Sequence, residues 1–131
     1  MESVRDLGRR TLALKAVLDA MPGALSAART AATGTKPLVL NYTVMGKTFA
    51  ILSVREEEFV MLKCDPHLVE MMKAQYTGIG DRTHLDPRFW IAVALDADVP
   101  AKEVKRLAAH SYDQVCAKLT AKQKAELAAL S

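Results

Sequence analysis

The segment Phe89-Trp90-Ile91-Ala92-Val93-Ala94-Leu95 has no polar side. Phe89, Ile91, Val93 and Leu95 alternate with Trp90, Ala92 and Ala94, so a strand built from it meets apolar material on both faces. Such a strand belongs in the interior of a sheet. Asp98-Val99-Pro100 then leads into a helical period: Val104, Leu107, Ala108, Ser111, Val115 and Leu119 fall on one face, and Lys102, Arg106, Ala109 and Asp113 lie opposite. This end of the chain is therefore committed to a strand covered by a basic amphipathic helix.

The remaining elements follow from spacing and punctuation. Residues 2–20 carry Val4, Leu7, Thr11, Leu14 and Leu18 at helical intervals, and Met21-Pro22-Gly23 stops the helix. From Ser26 to Pro37 the chain is rich in Ala, Thr, Gly and Ser, which suggests a short helix passing into a loop. Two β-rich runs, Leu38 to Val44 and Lys47 to Val54, flank Met45-Gly46, the length and composition of a tight hairpin. A third run, Phe59 to Cys64, follows the charged turn Arg55-Glu56-Glu57-Glu58, giving an antiparallel meander. Asp65-Pro66 opens a helix with Leu68, Met71, Met72 and Tyr76 as its buried stripe, since Asp65 can cap free amides and Pro66 suits the first helical position. Residues 77–87 read as a loop, and Thr120 caps a short last helix, Ala121 to Leu130.

With 131 residues, half of them hydrophobic and a quarter charged, the whole span 1–131 is expected to form one domain around one core. Cys64 and Cys116 are far apart and form no paired motif, which suits buried thiols in a reducing compartment. No apolar run approaches the ~18 residues of a membrane span, and the N-terminus lacks a signal-peptide pattern, so a cytoplasmic protein without membrane partners is expected. Charge is unevenly placed. Residues 1–46 hold 6 basic and 3 acidic side chains, 47–99 hold 6 and 9, and 100–131 hold 6 and 3. Two basic terminal helices packed together would give a positive field for phosphate or acidic partners; ordinary solvated helix faces are the bland alternative.

The ordered set Met21-Pro22-Gly23, Gly46-Lys47-Thr48-Phe49-Ala50, Leu62-Lys63-Cys64-Asp65-Pro66, Trp90-Ile91-Ala92-Val93 and Ser111-Tyr112, ahead of a basic tail, resembles the MmcQ/YjbR family over about residues 12–124. The resemblance implies a single two-layer α+β domain, an antiparallel sheet packed by helices, similar to frataxin-like and secretion-chaperone-like architectures. Members are labelled DNA-binding on the strength of this "double wing" fold. Between Pro22 and Val44 this chain departs from the family's acidic and aromatic pattern and is mostly Ala, Thr and Ser.

Two surfaces are candidates for binding. Alternation places Lys47, Phe49, Ile51 and Ser53 on one side of their strand and Ala50, Leu52 and Val54 on the other. If helices cover the Ala50, Leu52, Val60 and Leu62 side, the open face combines Lys47 and Lys63 with Phe49, Phe59 and Trp90, cations beside aromatics that suit a backbone phosphate and a stacked base. Alternatively Phe49 and Trp90 pack beneath the N-terminal helix and the lysines ride the rim. The second surface is the helix face of Lys102, Lys105 and Arg106, with Arg5, Arg9 and Arg10 at the other end of the chain, suited to sequence-independent phosphate contacts.

Catalytic and cofactor patterns are weak. His110 and Ser111 are adjacent on a helix, diverge by about 100° and cannot act as base and nucleophile. Cys64 and His67, with Asp81, His84 or Asp86, do not make the paired Cys/His set of a structural zinc site. Gly78-Ile79-Gly80 lacks the rest of a dinucleotide fingerprint, and Gly46-Lys47-Thr48 has Asn41 where a phosphate loop needs glycine. The first helix is too basic for frataxin-type iron binding. No metal, cofactor or catalytic residue is therefore assigned. The expected function is non-enzymatic binding, with nucleic acid (DNA) as ligand through Lys47, Phe49, Lys63, Trp90, Lys102, Lys105 and Arg106. The alternative is a protein-interaction module in which Phe49, Phe59, Met61 and Trp90 dock a partner or a second copy.

Overall fold

The computed structural model describes residues 8–30, 37–55, 57–80 and 86–130. Helix α1 (Arg9–Asp19) leads into β1 (Ala24–Thr30), β2 (Pro37–Val44), β3 (Lys47–Arg55) and β4 (Glu57–Lys63). Helix α2 (Pro66–Gln75), β5 (Ile79–Gly80), β6 (Trp90–Ala94), α3 (Ala101–Cys116) and α4 (Ala121–Leu130) follow. The strands form one antiparallel sheet in the order β1-β2-β3-β4-β6-β5. All four helices join a single apolar cluster on one side of it, through Leu14 and Leu18, Val69 and Met72, Val104 and Leu107, and Leu127. The fold is α+β, as expected. Among the described residues no helix is long and apolar enough to cross a membrane.

Local chemistry explains most element boundaries. Met45 and Gly46 both take positive φ, 51° and 84°, which is the twist-matched geometry of a two-residue hairpin turn. Asp65 accepts from the His67 amide at 2.9 Å and Pro66 fills the first helical position of α2. Thr120 and Gln123 cap α4 reciprocally, at 3.0 and 3.1 Å. The start of α1 has no capping side chain of its own; Glu58 of β4 serves instead, accepting from the Gly8 amide at 2.9 Å and from the Thr11 hydroxyl.

The join between α3 and the sheet turns on one irregularity. Tyr42 faces Ala50 but Thr43 faces Thr48, so Phe49 is an extra residue in β3, a β-bulge. The β3–β4 ladder ends at Ala50 and Leu62, just where the bulge begins. Ser111, fully buried on α3, donates its hydroxyl hydrogen to the Phe49 carbonyl and accepts from the Lys63 amide at 2.8 Å. One hydroxyl thus satisfies two backbone groups that the interrupted ladder leaves over. Its neighbours also bond to separate elements: His110 Nε2 accepts from the Asp65 amide at 3.2 Å, and the Tyr112 hydroxyl donates to the Pro22 carbonyl. His110 and Ser111 therefore point to different partners, as their positions on the helix require.

Met71, expected in the buried stripe of α2, is 57% exposed, and two further sequence-based expectations are corrected. The Ala/Ser/Thr-rich segment expected as a short helix and loop forms edge strand β1 over Ala24–Thr30, because backbone pairing with the whole length of β2 outweighs its weak local preference. Ile79–Gly80, expected within a loop, pairs with Val93 and Ala92 of β6, held by the Asp98 carboxylate accepting from the Thr77 and Gly78 amides at 2.9 and 2.8 Å. The first helix is seen from Arg9; its expected part before residue 8 lies outside the described residues.

Tyr42, fully buried, donates to Asp19 at 2.7 Å, and Lys15 pairs with the same carboxylate at 2.9 Å. Burial alone would raise the Asp19 pKa; the Tyr42 hydroxyl and the Lys15 ammonium outweigh it and hold the pKa below 3.8. A depressed carboxylate stabilises the fold at pH above its unfolded value and loses that contribution as pH falls through the folded one. Tyr42→Phe should therefore cost about 1 kcal/mol at neutral pH. That gap should narrow below the ordinary Asp value of 3.8, as followed by urea titrations across pH. Ser111→Ala strands two backbone groups and should cost about 2–4 kcal/mol in the same measurement.

Candidate binding surface

Register fixes which side chains share the side of the sheet away from the helices. Asn41, Ile51, Met61 and Ala92 are successive cross-strand partners from β2 to β6, and Val39, Ser53, Phe59 and Ala94 form the neighbouring row. None of these belongs to the apolar cluster that the helices join. Ser53, Met61 and Ala92 are nearly closed to solvent at the centre of this face, whereas Ile51, Phe59 and Trp90 are half-buried. Leu25 of β1 is 69% exposed at the far edge of the sheet. The face is largely apolar, with Asn41, Thr43, Thr48, Ser53 and Lys63 among its polar members.

Lys63 and Trp90 are direct register partners on this outward side, both half-buried. Side chains at such positions lie about 4.5–5.5 Å apart at Cβ, so the stems of Lys63 and Trp90 leave the sheet side by side. Arg88 and Phe89 adjoin them in the chain. The Arg88 guanidinium lies 5.4 Å from the Phe89 ring centroid, and Phe89 is 37% exposed. Asp86 pairs with Arg88 at 2.8 Å and offsets part of its charge; the Arg88 hydrogen bond holds the Asp86 pKa below its usual value. Sequence reasoning missed Arg88 as a site residue, although a cation directly before Phe89-Trp90 was visible.

The other expected site residues do not gather here. Phe49 is fully buried on the helical side, its ring 5.3 Å from Tyr112 at 90°, because the bulge adds a residue and breaks the alternation on which its outward placement depended. Phe49 is therefore a core residue and is removed from the surface set. Lys47 is exposed but pairs with Val44, whose side chain is buried beneath the helices, so it sits at the hairpin end away from Lys63. Lys102, Lys105 and Arg106 are exposed on α3, in the opposite layer. Lys102 and Lys105 meet Arg10 of α1 around one depression, so the two basic ends of the chain do come together; Arg106 instead pairs with Glu103.

The residues considered for a metal are dispersed. Cys64 is buried, with its thiol pushed up to about 11 by burial and by the neighbouring Asp65, His67 is exposed, and Asp86 is taken by Arg88. Asp81 and His84 lie outside the described residues. Among the described residues no group of three or more His, Cys, Asp or Glu is placed to hold a metal ion.

A family model described as YjbR matches residues 20–114, most of the chain. The chain belongs to the YjbR family. The matched span contains the bulged hairpin, the Lys63–Trp90 pair and the Ser111 bridge. The uncharacterised YjbR protein of Escherichia coli K12 is 30% identical over 64 residues, 49% of this chain and 54% of that one, as is its counterpart in strain O157:H7. The chain spans about half the length of these relatives. Among solved structures, the Deinococcus radiodurans protein DR2400, which carries a domain described as DUF419, superposes with a TM-score of 0.73. It is 27% identical, and the match covers 88% of this chain and 85% of that one. A Pseudomonas syringae protein, 19% identical with a TM-score of 0.62 over 82% and 98% of the two chains, shares the fold.

The reassignment of Phe49 separates core from surface in a measurable way. Phe49→Ala should cost about 3–5 kcal/mol of stability, as emptied core aromatic sites do, whereas Lys63→Ala should change it by less than about 0.5 kcal/mol; thermal melts of the two variants check both.

Proposed function

We propose that this YjbR-family protein is a non-catalytic binding protein that holds a single strand of nucleic acid, DNA in particular, on the outward face of its sheet. The observation that supports this is the Lys63–Trp90 register pair at one corner of the sheet, with the Arg88–Phe89 cation and ring directly before Trp90 in the chain. A half-buried ring offers a flat surface on which an unpaired base can stack, worth about 1–3 kcal/mol per base, and neighbouring cations take the phosphates. Recognition of this kind is tolerant of sequence because every base has a flat face. No chemistry on the bound strand is proposed, since His110, Ser111 and Tyr112 are each engaged in holding the fold.

A second reading rests on the apolar character of the same face, where Leu25 at 69% exposure, Val39 and Ile51 carry no charge. Such a surface favours docking of a protein chain or a second copy.

Fluorescence anisotropy with labelled single- and double-stranded oligonucleotides across a salt series separates the two. The nucleic-acid reading expects preference for single strands, weakening with added salt, a smaller salt slope in Lys63→Ala and Arg88→Ala, and roughly ten-fold loss in Trp90→Ala. Absence of binding at low salt would exclude it. Concentration-dependent self-association that is indifferent to salt and lost in Ile51→Lys would favour the second reading.

A further inference from the structure

A separate feature lies in the helical layer. Between α1 and α3 there is a depression of about 430 Å³, a size that accommodates a small organic ligand. Its floor is formed by the buried Leu14, Leu95 and Val104 and the half-buried Val17. Ala13, Ala16 and Ala101 line it with short side chains, which leave the space that larger residues would fill. The cations Arg10, Lys102 and Lys105 complete it; among the described residues no acid lines it, and Glu58 and Asp96 belong to the neighbouring hollow that shares Arg10 and Leu95.

The charges are arranged as well as present. Glu103, the acid between the two lysines in sequence, is drawn to Arg106, whose guanidinium holds its pKa below the usual carboxylate value. Neither Lys102 nor Lys105 makes an ion pair among the described residues, although the Lys102 charge also helps to lower the Glu103 pKa. The Arg10 guanidinium donates to the Ala97 carbonyl at 3.3 Å and to the Val99 carbonyl, which fixes a third positive charge at the same groove without neutralising it.

An apolar floor and an all-cationic set of charged residues select against most ligands. A phosphate sugar backbone would use the lysines but gain nothing from the floor, and a neutral apolar molecule would use the floor but not the lysines. We infer that the α1–α3 groove binds a free single-chain amphiphile with an anionic head, of the medium-chain carboxylate class, its tail on Leu14, Leu95 and Val104 and its head between Lys102, Lys105 and Arg10. The site is on the opposite layer from Lys63 and Trp90, so it stands or falls independently of the sheet face.

The test is titration with a dansyl-labelled undecanoate, kept below its micelle-forming concentration, followed by displacement with unlabelled compounds. Saturable binding at one site per chain is expected, with displacement by dodecanoate and dodecyl phosphate and roughly ten-fold weaker displacement by dodecanol. Lengthening the carboxylate from octanoate should raise affinity roughly four-fold per methylene until the groove is full. Lys102→Gln combined with Lys105→Gln should erase the preference for dodecanoate over dodecanol, and Ala16→Trp should abolish binding of both. Ala13→Leu provides a second filled groove if the tryptophan variant does not fold, as judged by circular dichroism. Equal displacement by dodecylammonium, unaltered binding in both filled variants, or association with anionic phospholipid vesicles but not with monomeric dodecanoate would overturn the proposal. So would loss of self-association, without a change in probe binding, when the groove is filled.

Discussion

The hydroxyl of Ser111 decides how the two layers of this protein meet. A β-bulge at Phe49 against β2 falls where the β3–β4 ladder ends, leaving a carbonyl on one strand and an amide on the other, and the serine on α3 answers both. Neither backbone group could be left in the interior without a partner except at substantial cost. The bulge and the serine therefore require each other: without the bulge the hydroxyl would have no groups to bond, and without the hydroxyl the bulge would be an unsatisfied defect. Phe49 follows from the same arrangement, since the extra residue turns its ring inward against Tyr112 and Tyr42.

Much of this was legible from composition and spacing because it is local. Asp65-Pro66 and Thr120 announce helix starts, Met45-Gly46 announces a hairpin, and the period placing Ser111 with Val104, Leu107 and Val115 puts it on the buried face. The Ser111-Tyr112 pair, which helps carry the family resemblance, proves to be structural, each residue bonded to a different part of the chain. What escaped is non-local. Nothing within Ala24–Thr30 favours a strand until β2 is laid beside it, and nothing within Lys47–Arg55 reveals that two consecutive residues will face the same way. That single slip in alternation removed Phe49 from the surface, whereas the outward side of Lys63 and Trp90, beyond the bulge, followed the simple rule.

The two layers divide the chain's surface chemistry. Helices α1 and α3, from opposite ends of the sequence, bring their cations together on one side. The sheet carries apolar side chains such as Leu25, Val39 and Ile51 on the other, with Lys63 at one corner. A net charge of +3 thus conceals a clustering of cations in the helical layer.

The bonds of His110, Ser111 and Tyr112 also fix the azimuth of α3, because a helix held by three consecutive side chains on three different elements can neither roll nor slide. At about 100° per residue, Lys102 comes out roughly half a turn around the axis from Ser111. The outward bearing of that lysine is thus set more than two turns away, by a serine that never reaches solvent. One residue inserted between them would leave the clamp intact and swing the charge off the groove.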